Sequence, residues 1–174
     1  VMGDQRKVLK KYLNKPAEEI PQIFVPYKET MDVYELGLKI ADDVSLIWVD
    51  DNYGYMKRLS GPEEQKRSGG SGVYYHMSYL GAPHDYLWLN TTPPVLMYEE
   101  LTKAYKTGAN RYWLVNVGDI KPAELGMQTF FDLAWDVNKF DYKSINRNQS
   151  SFLARTFGVK YEKDFQDILD NYYR

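Results

Sequence analysis

Two carboxylates stand at the ends of successive apolar runs. Glu29 follows Gln22-Ile23-Phe24-Val25-Pro26-Tyr27, and Asp50-Asp51 follow Val44-Ser45-Leu46-Ile47-Trp48-Val49. If these runs are neighbouring parallel strands, they lie about 4.8 Å apart. Carboxylates at their ends then fall within the roughly 5–10 Å that separates the working pair of a glycosidase. One carboxyl, raised by burial, would donate a proton, and the other would stay ionised and activate water. The same carboxylates would also suit the first turns of the following helices. Spacing leaves both readings open. Side chains alternate along a strand, so Asp50 and Asn52 share a face, as do Tyr74 and His76. With Asn116, at the end of a later apolar run, they form a convergent set of donors and acceptors fit for sugar hydroxyls. Taken singly, His76 reads equally as a core histidine with its hydrogen bonds met. Lys28 needs an anionic partner if buried, either Glu29 or a substrate carboxylate. His84-Asp85 is either a second small constellation or a turn.

Composition narrows the chemistry. The 174 residues carry 22 Lys+Arg and 24 Asp+Glu, a net charge of −2, which argues against a nucleic-acid binder. There is no cysteine, so thiol catalysis, disulfides and cysteine-ligated metals are excluded. Two histidines cannot supply a three-histidine metal site. No apolar run approaches a membrane span, and no signal-peptide pattern opens the chain. Sixteen tyrosines, seven phenylalanines and four tryptophans offer flat apolar faces with polar rims, suited to sugars and peptides. Several motifs fail. Residues 67–72 are glycine-rich but lack the Gly-Lys-Ser/Thr of a phosphate loop. Asp50-Asp51-Asn52-Tyr53-Gly54 begins like a calcium loop, but position 61 is Gly rather than Glu. There is no G-x-S-x-G elbow.

The elements that must position these residues follow from periodicity. Strands are expected over 22–27, 44–49, 73–79, 85–90 and 111–117. Helices are expected over 4–14, 30–38, 95–107, 123–135, 146–157 and 161–173. The strands are apolar throughout, which marks a parallel sheet covered on both faces, an α/β architecture. Their polar ends (Lys28-Glu29, Asp50-Asp51-Asn52, His76, Asn90, Asn116, Asp119) predict a site at the carboxyl edge of the sheet. About five strands are too few for a closed eight-stranded barrel. The expectation is the second half of one, with two open sheet edges that invite self-association. Val1 runs directly into Met2-Gly3-Asp4 with no basic leader, which reads as the interior of a longer protein.

Five stretches in this order resemble glycoside hydrolase family 115, the xylan α-1,2-glucuronidases. They are Phe24-Val25-Pro26-Tyr27-Lys28-Glu29, Trp48 through Tyr55, Gly72-Val73-Tyr74-Tyr75-His76, Pro83-His84-Asp85-Tyr86-Leu87-Trp88 and Asn116 through Glu124. The resemblance spans about residues 20–136 and continues more weakly into the tail. It implies the last four to five strands of a TIM-like (β/α) barrel over residues 1–136, with 137–174 beginning a helical domain. It implies release of (4-O-methyl-)glucuronic acid from glucuronoxylan or its oligosaccharides, by inversion and without metal or other cofactor. Carried over by motif, Glu29 resembles a catalytic carboxylate, the base that activates water, with Asp50 the second catalytic candidate. Lys28, Asn52, Tyr74, His76, Tyr79 and Asn116 resemble the glucuronate pocket. By analogy the location is periplasmic or extracellular in a bacterium. One essential carboxylate of the family comes from an earlier strand, so the general acid is expected before Val1 and this piece alone is expected to be inactive. Losing a proton donor costs roughly 10²–10⁴-fold. The reading from another class is a carbohydrate-binding or structural module that binds glycan without cleaving it.

Overall fold

The computed structural model describes residues 1–82 and 85–174. Four parallel strands form one sheet in the order β1-β2-β3-β4: Ile23–Phe24, Ser45–Val49, Ser71–His76 and Ala109–Asn116. Among the described residues seven α-helices accompany them. Helix α1 covers Met2–Leu13, α2 Glu29–Glu35, α3 Pro94–Lys106 and α4 Glu124–Trp135. The tail forms α5 (Tyr142–Asn146), α6 (Asn148–Phe157) and α7 (Glu162–Tyr172). The α/β class and the parallel sheet are as the continuous apolar runs predict, and the arrangement is consistent with part of a β/α barrel.

The two central strands, β2 and β3, hold because their side chains are buried on both faces, whereas the edge strands β1 and β4 are partly exposed, which the expectation of full cover did not foresee. Leu46, Ile47 and Trp48 of β2 are fully buried, as are Val73 and Tyr75 of β3. Met97, Leu101 and Ala104 of α3 and Phe130 and Leu133 of α4 close over them. Val137 and Ile145 of the tail join the same core. Close approach makes Gly72 obligatory, since a Cβ there would sit 2.2 Å from the Tyr112 carbonyl oxygen. That contact lies where the β3–β4 register shifts.

The structure corrects three expectations. No strand forms over 85–90; Tyr86 makes only an isolated antiparallel bridge to Tyr79. A parallel crossover needs about a dozen residues or more, and the segment after His76 is too short to provide one, so it folds back locally. The first strand shrinks to two residues because Pro26 has no N–H for the ladder. The expected helix at 146–157 forms as α6 over Asn148–Phe157, its first residue going to a separate helix. Asp141 and Ser144 form a reciprocal capping box that starts a separate α5, missed in the sequence, and Arg147 interrupts before α6.

Loop 50–70 carries the chain from β2 to β3 without an α-helix and is fastened by one charged cluster. Arg58 forks onto Glu64 at 2.8 and 2.6 Å, and it stacks on Trp48 with its guanidinium carbon 4.4 Å from the ring centre. The Tyr34 hydroxyl and the Gly61 N–H also donate to Glu64, at 2.8 and 2.7 Å. Burial alone would raise the Glu64 carboxyl, but Arg58, the Gly61 N–H and Tyr34 together hold it below its ordinary 4.5. A depressed carboxylate stabilises the fold above its unfolded pKa, and that contribution is lost as pH falls through the folded value. Acid titration of the melting temperature should therefore show a loss below about pH 4.5 that Glu64→Gln flattens. An unchanged acid limb in that variant would remove Glu64 from the account.

Candidate active site

The carboxyl ends of all four strands open on one side. There Val25, Tyr27, Lys28, Val49, Tyr74, His76, Tyr79, Leu80 and Asn116 line a cleft of about 360 Å³. Five residues nominated from the sequence thus share one wall system: Lys28, Tyr74, His76, Tyr79 and Asn116. Asn52 stands immediately behind, its Oδ1 accepting a hydrogen bond from Tyr27 Oη at 2.9 Å. Tyr27 was missed at the sequence level. Its signal was available, since it ends the first apolar run beside Lys28.

Backbone strain marks two of these positions. Lys28 has φ 49° and ψ −126°, and Asn52 has φ 68°. Non-glycine residues held there cost of order 1–3 kcal/mol each and cluster at functional sites. At Lys28 the strained turn ends the β1 extension and opens α2. The Lys28 ammonium lies 5.3 Å from the Tyr27 ring centre and 5.7 Å from that of Tyr79. The two phenol oxygens are 3.3 Å apart. The Tyr79 phenol is lowered by its hydrogen bonds with Tyr27 and with Lys28. Lys28 is correspondingly raised, first by Tyr79, and burial pushes Tyr27 up. The cleft thus sets the Lys28 ammonium beside two hydrogen-bonded phenols.

The two carboxylates nominated from the sequence part company. Glu29 is the first residue of α2, next to Lys28 and exposed; its carboxylate makes no hydrogen bond or ion pair among the described residues. It does not line the cleft itself. Asp50 is buried at 2 % exposure, behind the wall rather than in it. Its Oδ1 accepts from the His76 backbone N–H at 2.9 Å and lies 2.7 Å from His76 Nδ1. Its Oδ2 accepts from the N–H groups of Asn52 at 3.0 Å and Gly54 at 3.2 Å. The structure therefore does not set Asp50 where a ligand can touch it. Asp51 takes the opposite face, as alternation predicts. It accepts from the Tyr53 and Tyr55 N–H groups at 3.0 and 3.1 Å and pairs with Lys57 at 3.5 Å.

Other polar strand ends are employed elsewhere. Asn90 donates to Tyr173 Oη at 3.0 Å, and Asp119 is exposed. Asp85 accepts from the Gly81 N–H as a local turn, while His84 and Pro83 lie outside the described residues. Among the described residues no group of three His, Cys, Asp or Glu could hold a metal ion. No helix there is long and apolar enough to cross a membrane.

A parallel sheet with a cleft at its carboxyl edge, lined by three tyrosines, a histidine, an asparagine and one lysine, defines an α/β protein with its candidate site where such sheets hold ligands. The sequence model of glycosyl hydrolase family 115 matches residues 1–174, and the chain belongs to that family. Its fold is similar to that of a solved family 115 4-O-methyl-α-glucuronidase, described as having specificity for decorated arabinogalactans. The two are 44% identical with a TM-score of 0.94, over 99% of this chain and 23% of that one. The chain thus spans about a quarter of that enzyme's length. No curated protein matches it.

Proposed function

We propose that the chain is part of a larger glycoside hydrolase that releases (4-O-methyl-)glucuronic acid from polysaccharide side chains by inversion. In this reading residues 1–136 supply the later strands of the catalytic barrel and 137–174 begin a helical domain. Glu29 activates the attacking water. Lys28 binds the uronate carboxylate, while Asn52, Tyr74, His76, Tyr79 and Asn116, with Tyr27, surround the sugar. The general acid comes from elsewhere in the enzyme, so the 174-residue chain alone is expected to release no glucuronic acid.

One observation carries this reading: among the described residues, Lys28 is the only lysine, arginine or carboxylate that lines a cleft of hydroxyl, amide, imidazole and aromatic groups. A neutral sugar needs no such cation, whereas a uronate gains a charge-assisted hydrogen bond from it. Lys28 is exposed in this chain, so water screens part of that gain. Lys28→Met is therefore expected to weaken D-glucuronate binding severalfold, with D-glucose binding unchanged, in calorimetric titration. Equal binding of the two sugars before and after the substitution would reject a uronate site.

The polymer that carries the glucuronate has two readings. The sequence resemblance favours xylan. The 44% identical neighbour, described as specific for decorated arabinogalactans, favours arabinogalactan. Comparing glucuronic acid release from glucuronoxylan oligosaccharides and from arabinogalactan, with the longer enzyme, decides between them.

A further inference from the structure

The sequence nominates Asp50 as a catalytic carboxylate, but its surroundings give it a different task. Its side chain has 0% exposure, and that of His76 has 4%. Four contacts fill the roughly four acceptor positions of a carboxylate. Three of them come from backbone N–H groups, of His76, Asn52 and Gly54, which can only donate. Both oxygens are therefore committed as acceptors. To a carboxylate, which only accepts, the fourth contact, His76 Nδ1 at 2.7 Å from Oδ1, presents an N–H. No lone pair of Asp50 is left for water or sugar.

The imidazole is also fixed in rotation. Tyr79 meets it edge-on at 5.1 Å and 89°, and Tyr74 at 5.2 Å and 68°. Tyr27 covers it from 6.1 Å. His76 lines the cleft, so with Nδ1 turned to Asp50, Nε2 is the ring nitrogen left for a ligand. The same carboxylate pins the turn that carries Asn52, whose Oδ1 holds Tyr27. Gly54 is needed in that turn. Its φ is 88°, and a Cβ would lie 2.7 Å from the Tyr75 hydroxyl.

We propose that Asp50 is a positioning residue that holds His76 as the Nδ1–H tautomer, so that Nε2 meets the ligand as a hydrogen-bond acceptor. In the uncharged ring of that tautomer Nε2 has a lone pair and no proton. What it receives is a sugar hydroxyl, never a carboxylate or an ether oxygen. The assignment of that ligand as glucuronate rests on the function proposed above; the tautomer does not. Labour in the cleft divides accordingly: Lys28 takes the acid group, and His76 reads a free hydroxyl.

The test is the ¹⁵N imidazole spectrum of the His84→Gln variant, which leaves His76 as the chain's single histidine. At pH 7 the expected result is a protonated, pyrrole-type Nδ1 and an unprotonated, pyridine-type Nε2. An Nε2–H tautomer, an averaged signal or two protonated nitrogens would overturn the proposal. Asp50→Asn on this background puts an amide NH₂ among donors and is expected to lose the single-tautomer signature. A folded variant with an unchanged spectrum would also overturn it, and if the variant does not fold, the spectrum of the parent protein decides alone. Adding sodium D-glucuronate should shift the Nε2 resonance, while sodium acetate should not. If the tautomer is as expected and glucuronate shifts nothing, Asp50 keeps its role and the glucuronate reading fails.

Discussion

Replacing Glu29 with Gln is expected to lower glucuronic acid release by the longer enzyme roughly 10²–10⁴-fold and to leave glucuronate binding unchanged. The argument is one of availability. A base must reach the attacking water, and Asp50 cannot, since both of its oxygens are occupied by four donors inside the protein. Glu29 is exposed, follows the cleft-lining Lys28 directly, and among the described residues has no partner that it would have to release. Gln keeps the size and the helix start but cannot take a proton. Steady-state release, together with titration of glucuronate into the variant, separates the roles. Lost turnover with retained binding identifies the base. Unchanged turnover would leave the chain as a binding or structural module of its enzyme.

The largest structural effect is expected at Trp48. It is fully buried in β2, donates Nε1–H to Ser60 Oγ at 2.8 Å, meets Tyr34 edge-on at 6.0 Å and supports the Arg58 guanidinium on its face. Trp48→Ala would open a cavity beneath the sheet and free the cluster that holds loop 50–70. Truncations of this kind cost about 3–5 kcal/mol, a large share of the roughly 5–15 kcal/mol that keeps a domain folded. Urea denaturation should show the loss directly. Trp48→Phe keeps a ring for Tyr34 and Arg58 but strands the buried Ser60 hydroxyl, an expected cost of about 1–3 kcal/mol. A loss below 1 kcal/mol for Trp48→Ala would mean that Arg58 and Glu64 hold the loop without the ring.

The parallel sheet was legible because continuous apolar runs such as Leu46-Ile47-Trp48-Val49 suit only strands buried on both faces. The side of the sheet that carries the cleft was legible too. Polar residues follow each such run, and alternation put Tyr74 with His76 and set Asp51 apart from Asp50. The failures share a cause. Residues 85–90 have a strand's composition, but only the short path from His76 shows that they cannot join the parallel ladder. Likewise Tyr27 and Pro26 are plain members of an apolar run until the strand ends before them. Asp50 is the sharpest case. Register pairs Val49 with Tyr74, which sets Asp50 beside Tyr75 and lets its side chain reach the next residue, His76. Hydropathy and spacing in this chain determine which residues are buried and which end of the sheet is polar, because burial is a property of each residue's own chemistry. Which acceptor a given donor meets, and so whether a carboxylate faces a ligand or a histidine, was decided only by the register and turns of the folded chain, because a hydrogen bond depends on where two distant residues are brought.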